Sequence, residues 1–227
     1  MNKENMMEAL NLQKALLLPV RPKECFEILT GRRVIDVRKN TPRLFAPFEI
    51  YLYCTQARKT PADWLYILPD ARTICLGVDD ENRKFVEEEG SFLNGTVIGR
   101  AVCHTVKEYE GEFNSPEFYE SVSERYEPED FWEYGEYDYY FVSDNEEDGE
   151  PLQGSGLSWE DCRRYFGKGI KEFCGLELTE IRLFETFLSI ERFGLTRPPQ
   201  SMVYVNHIEH RYNPRVLWLI DFNKFNK

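Results

Sequence analysis

The sequence predicts an α+β protein, a small mixed β-barrel with a few short helices and an acidic insertion. Three observations predict this. Short apolar segments of alternating or β-branched character recur along the chain. Only a few segments pair a helical apolar face with start and stop signals. One stretch, 108–150, departs sharply from the rest in charge and aromatic content.

Residues 1–13 read as a short N-terminal extension, with helical potential in MMEALNLQKAL. Leu16-Leu17-Leu18 is a buried strand candidate that Pro19 is expected to end. Pro22 suits the first turn of a helix and Gly31 the position just past its end, while Cys25, Phe26, Ile28 and Leu29 make an apolar face between them. A helix is therefore expected over 22–30. Arg32–Lys39 alternates like a strand, with Arg32, Val34, Asp36 and Arg38 on one face and Arg33, Ile35 and Val37 on the other. Phe48–Thr55 is the cleanest strand, pointing Phe48, Ile50, Leu52 and Cys54 one way. Thr73–Val78 is another. Thr96–Val106 follows the turn signal Asn94-Gly95. Ser143–Gly156 has the composition of a flexible loop. Ser158 opens a short helix as N-cap, with Asp161 in the capping-box position. Leu176–Leu183 and Met202–Ile208 alternate as strands, joined through Arg197-Pro198-Pro199-Gln200. Arg215–Phe222 is a last apolar segment within a C-terminal extension, 209–227. The reading is one domain over 14–208 with the insertion inside it.

The chain has 227 residues, 42 % hydrophobic and 30 % charged, which excludes wholesale disorder and a fibrous protein. The run Ala15–Val20 is far short of the roughly 20 apolar residues of a spanning helix, and the polar N-terminus lacks a secretory pattern. A cytoplasmic protein is expected. Six cysteines lie far apart with no CxxC pair, which suits reduced thiols. His207 and His210 are the nearest approach to a metal-ligand pair, but no cysteine pair accompanies them. Neither metal nor cofactor is expected.

The formal net charge is −12. Residues 108–150 hold 17 acids and a single Lys or Arg, so the remainder is mildly basic. Residues 14–59 carry ten Lys or Arg against four acids, the footprint of a polyanion site. An ordinary solvated face, or a docking surface for the chain's own acidic segment, gives the same composition. The acidic segment also holds 12 of the 33 aromatics, unlike a disordered acidic tail. It reads as an ordered insertion packing on the barrel, as a partner-binding surface with aromatic anchors, or as a mimic of nucleic-acid charge.

The stretch KALLLPVRPKECFEILTGRRVIDVRK resembles the opening of ASCH-domain proteins, which share the PUA-like fold. The family motif GxKxxExR corresponds to Gly31, Arg33, Asp36 and Arg38, with Lys replaced by Arg33 and Glu by Asp36. Tyr53-Cys54-Thr55, the turn-to-strand NGTVIGRAVC and the closing RPPQSMVYV extend the resemblance to larger bacterial and phage members. It implies a pocketed β-barrel for RNA or a nucleotide-like ligand. Some small members resemble amidohydrolases of an acylated cytidine that use the motif Lys. Larger relatives carry Trp-His where this chain has Leu176-Glu177.

Lysine can lose its proton in a buried site, whereas arginine stays charged and presents a flat fork to phosphate, carboxylate or a base edge. Arg33 therefore argues for binding over proton transfer, unless it is a surface cation or an ion-pair partner of Asp36. The expected ligand-binding set is Arg21, Lys23, Arg33, Asp36, Arg38, Lys39, Thr55, Gln200 and Ser201. Asp36 is the one catalytic candidate, as a base raised by burial. The alternatives to binding are hydrolysis of modified nucleosides or RNA, and a protein-interaction or inhibitor role carried by 108–150.

Overall fold

Strands dominate the computed structural model, which describes residues 14–56, 61–68, 73–79, 83–112, 118–121, 139–141, 152, 154–167, 170–208 and 216–220. The chain divides into two compact units. The first takes Met1–Arg32, Phe48–Val102 and Thr179–Lys227, and the second Arg33–Pro47 and Cys103–Leu178.

In the first unit, strand β1 (Lys14–Val20) is buried along almost its whole length. It runs parallel to β3 (Phe48–Cys54), pairing Leu16 with Ile50 through Val20 with Cys54. Burial on both faces explains its continuous apolar run. Pro19 does not end the strand as expected. It pairs with Tyr53, beyond Leu17, the last residue paired to the other neighbour β11 (Val203–Asn206). A missing N–H there interrupts no β11 ladder bond. The strand order continues from β3 to the first part of β7 (Thr96–Glu112), the last part of β10 (Ile170–Leu188) and β12 (Val216–Ile220). Among the described residues this order is an open path, and no pairing of β11 with β12 closes it into a barrel. A second, three-stranded sheet in the same unit is ordered β5 (Ile74–Leu76), β4 (Leu65–Ile67), β6 (Ser91–Phe92). It shares the cluster of Tyr66, Val78 and Val86 with the helix α2 (Arg83–Glu89).

Helix α1 (Pro22–Leu29) buries Pro22, Cys25, Ile28 and Leu29. Its end is a Schellman motif: Gly31 N–H donates to Ile28 O at 3.1 Å and Arg32 N–H to Glu27 O at 2.9 Å. Gly31 has φ 75°, a conformation glycine adopts at no steric cost.

In the second unit, β2 (Ile35–Arg38) is antiparallel to the first part of β10, with Asp36 opposite Leu176 and Arg38 opposite Cys174. The far part of β7 pairs with β8 (Phe118–Ser121), which pairs with β9 (Tyr139–Phe141). The acidic segment thus begins as a continuation of a core strand. Tyr109 is buried and stacks on Phe173 with centroids 5.0 Å apart. The remainder of 108–150, like both terminal extensions apart from β12, lies outside the described residues.

Helix α3 (Trp159–Phe166) starts at the expected capping box. Asp161 N–H donates to Ser158 Oγ at 3.2 Å, and Ser158 N–H returns to Asp161 Oδ2 at 3.4 Å. Cys162 and Phe166 then join Ile35, Val37, Tyr109, Leu152 and Phe173 in this unit's core.

The end of the 143–156 segment is not a loose loop. Leu152 and Ser155 are fully buried, and Gly154 O accepts from both Val34 N–H and Ile35 N–H, at 2.8 and 2.9 Å. Gly154 has φ 82°, and a Cβ there would lie 2.6 Å from Val34 Cγ2. Turn-like composition therefore served a close backbone approach. No helix among the described residues is long and apolar enough to cross a membrane.

Candidate functional site

Strand β2 positions the polar centre of the second unit. Its alternation sends Ile35 and Val37 into the apolar core and Asp36 and Arg38 to the other face. That face is not solvated at Asp36, which is 1 % exposed. Its carboxylate accepts a hydrogen bond from Arg38 Nε at 2.5 Å on Oδ2. Oδ1 faces Arg33 Nη2 at 3.5 Å, the outer limit of a hydrogen bond and chiefly a charge contact. Arg33 is itself 3 % exposed, and the Arg38 side chain 14 %.

Alternation over 32–39 put Arg33 on the face away from Asp36. The structure corrects this. The strand starts only at Ile35, so Arg33 lies ahead of it, and its backbone is not bound to the two-residue period. Of the alternatives for Arg33, the ion pair is the one found. A surface cation is excluded by its burial.

Lys39 is exposed directly after β2, with Nζ 4.9 Å from the ring centroid of Tyr165 on α3. Cys174, opposite Arg38 in the ladder, and Cys103 are buried thiols pushed up to about 12 by loss of solvent. At neutral pH they are protonated and are poor nucleophiles. Among the described residues no cluster of His, Cys, Asp and Glu could hold a metal ion.

The other five expected residues belong to the first unit. Arg21 is exposed at the start of α1, where its N–H donates to Glu24 Oε2 at 3.3 Å. Lys23 is exposed and pairs with Glu27 at 3.8 Å. Thr55 is half-buried after β3, its N–H donating to Val20 O at 2.9 Å. Gln200 and Ser201 are exposed in the turn before β11. The structure therefore joins Arg33, Asp36 and Arg38 directly, sets Lys39 beside Arg38 in sequence, and leaves these five in the other unit.

A second polar centre, not foreseen, lies in the first unit. Glu49 on β3 accepts from Arg100 Nη1 at 2.9 Å, His207 Nδ1 at 2.7 Å and Tyr51 Oη at 3.0 Å. Tyr51 Oη in turn accepts from Ile208 N–H at 3.1 Å. Burial raises the Glu49 carboxyl, but the His207 hydrogen bond, the Arg100 charge and the Tyr51 hydroxyl together bring it below its ordinary value. An ionised carboxylate only accepts, so the His207 proton sits on Nδ1. Burial, countered by the Ile208 N–H and reinforced by Glu49, lifts the Tyr51 phenol well above its usual range. The sequence held one signal for this centre: Glu49 is the only charge in an otherwise apolar strand.

No family model matches the chain, and no curated protein does. Among solved structures, ASCH from Zymomonas mobilis is similar, with 15 % identity and a TM-score of 0.44 over 84 % of this chain and 87 % of that one. Tyr-to-Phe and Ser-to-Ala variants of the same protein each show 14 % identity and a TM-score of 0.46. They cover 87 % of this chain and 94 % and 92 % of theirs.

Proposed function

We propose that the second unit binds RNA or a nucleotide-like ligand through Arg38 and Lys39, with Asp36 and Arg33 as the buried base that orients Arg38. One observation carries this reading: a carboxylate 1 % exposed, held between Arg38 on the same four-residue strand and Arg33 just ahead of it. Taking these charges out of water costs several kcal/mol per ion, and hydrophobic replacements of buried ion pairs are often more stable. Such a cluster makes a poor staple. It is well suited to fixing the plane of a guanidinium, whose fork then meets a phosphate or a base edge without further ordering.

The cluster's two arginines and one aspartate leave one positive charge, to which Lys39 adds another. The segment 108–150 carries strong negative charge on the same unit, so the reading rests on local rather than net charge. Arg33 cannot relay protons as a lysine could, so the reading favours recognition over acid–base chemistry at this position.

The test is fluorescence polarisation of the full chain with single-stranded RNA, tRNA and duplex DNA, at low and physiological salt. Salt-sensitive binding is expected that falls about tenfold or more in Arg38→Gln, measured where that variant is still folded, and that falls also in Lys39→Gln, whose exposed side chain lies outside the buried ion pair and should leave the unfolding midpoint unchanged. No binding by the wild type, or binding indifferent to Arg38→Gln and Lys39→Gln, overturns the reading.

A further inference from the structure

Tyr165 is the described aromatic best placed to meet a ligand at Arg38 and Lys39. It lies near the end of α3 and is 37 % exposed, while its neighbour Phe166 is 6 % exposed. Phe166 is fixed in the core against Phe173, centroids 4.3 Å apart. Tyr165 meets Phe166 edge-to-face, with centroids 4.7 Å apart and planes at 79°. The exposed ring is therefore braced by a core residue and loses little freedom when something stacks on it.

The Lys39 ammonium rests over that ring at 4.9 Å. A cation above an aromatic face at an exposed site is held by only about the energy of a weak contact, so it is easily displaced. A ligand that places a flat ring on Tyr165 frees the ammonium, and the same ligand gains most if it also carries an anion within the reach of Lys39. A nucleotide with an unpaired base has both parts. A duplex, whose bases already stack on one another, offers only the anion. The acids nearest along α3 do not oppose this with full charge: Glu160 and Asp161 both pair with Arg164, at 2.8 and 3.5 Å.

We infer that Tyr165 is a stacking platform for one unpaired base, that Lys39 moves from the ring to that nucleotide's phosphate, and that the ligand is single-stranded RNA rather than duplex. This rests on the binding reading above and adds to it the strandedness of the ligand and a residue outside the motif.

The experiment uses the full chain and a short single-stranded RNA containing 2-aminopurine, with its fully paired duplex as the comparison. Tyr165→Ala is expected to weaken single-strand binding about five- to hundredfold and to abolish the fluorescence quenching that stacking causes. Tyr165→Phe, which keeps the ring, should retain both. Duplex binding should be weaker in the wild type and unaffected by either substitution. If the wild type binds and Arg38→Gln weakens it, but Tyr165→Ala changes neither affinity nor quenching, the platform is wrong and the binding reading stands. If the wild type prefers the duplex, the assignment of strandedness is wrong. If no RNA binds, the binding reading itself is overturned and the platform falls with it.

Discussion

The two units each hold a buried or half-buried carboxylate on a strand, and the two are satisfied in opposite ways. Asp36 is 1 % exposed and faces two arginines, of which Arg33 is nearly as buried as itself. Glu49 is 17 % exposed, and its partners are an arginine, a histidine and a phenol, the first two 23 % and 32 % exposed. Water reaches every charged partner of Glu49, whereas Arg33 and Asp36 face each other with side chains only 4 % and 1 % exposed. Removing a partner from a dry ion pair strands a charge, while removing one from a wet network costs about the hydrogen bonds lost. A carboxylate's number of partners is thus a poorer guide to its importance than the burial of those partners.

The largest way to break this comparison is Asp36→Ala. It should cost about 3–5 kcal/mol in urea unfolding, because it breaks a buried ion pair by removing the carboxylate that two arginines share. The double replacement Arg33→Met with Asp36→Leu should recover most of that. A loss for Asp36→Ala no greater than that for a Glu49 variant would break the contrast. Gly175→Ala tests the ladder that carries Asp36. An added Cβ would lie 2.7 Å from Ile35 Cγ2 and 3.0 Å from Tyr109 Cε2, so about 1–3 kcal/mol of overpacking is expected by the same measurement. Glu49→Gln keeps the shape and loses the charge. It should cost about 1–2 kcal/mol, the worth of a charge-assisted hydrogen bond in a site that water enters.

The smallest expected effect is in pH dependence. The folded carboxyl of Glu49 lies below its ordinary value of 4.5, so the unfolded chain binds more protons near that pH. The stability Glu49 adds is present in full above 4.5 and is lost as pH falls through the lower folded value. The gap between wild type and Glu49→Gln should therefore narrow as pH falls below 4.5. A gap that widens in acid would reverse the assigned direction.

The unequal legibility of the two centres has a physical cause. Arg33, Asp36 and Arg38 lie within six residues, so charge spacing alone put them under suspicion, and the motif resemblance named the same positions. Glu49 meets Arg100 across 51 residues and His207 across 158, and no periodicity in the chain encodes those separations. His207 stands out in the sequence only for its spacing from His210, yet it turns to a carboxylate on β3, two strands from β11 in the sheet order. Tyr165 carried no signal beyond being an aromatic residue in a short helix.

Local chemistry was read well wherever the sequence distance was short. The helix from Pro22 with its Gly31 stop, the Ser158–Asp161 capping box and the strands at Phe48 and Thr96 each follow from contacts within a few residues. Tertiary structure decided the rest. It carried β1 through Pro19, because the ladder on the β11 side had already ended. It ran β7 and β10 well past their apolar cores, because a neighbouring strand satisfies the backbone of polar residues as fully as that of apolar ones. It drew Gly154 against Val34, and it set Arg33 beside Asp36 by starting β2 three residues later than alternation implied. Propensity and periodicity act over a turn or a ladder step. Burial of charge and choice of strand partner depend on residues far apart in the chain, and only the folded chain brings those together.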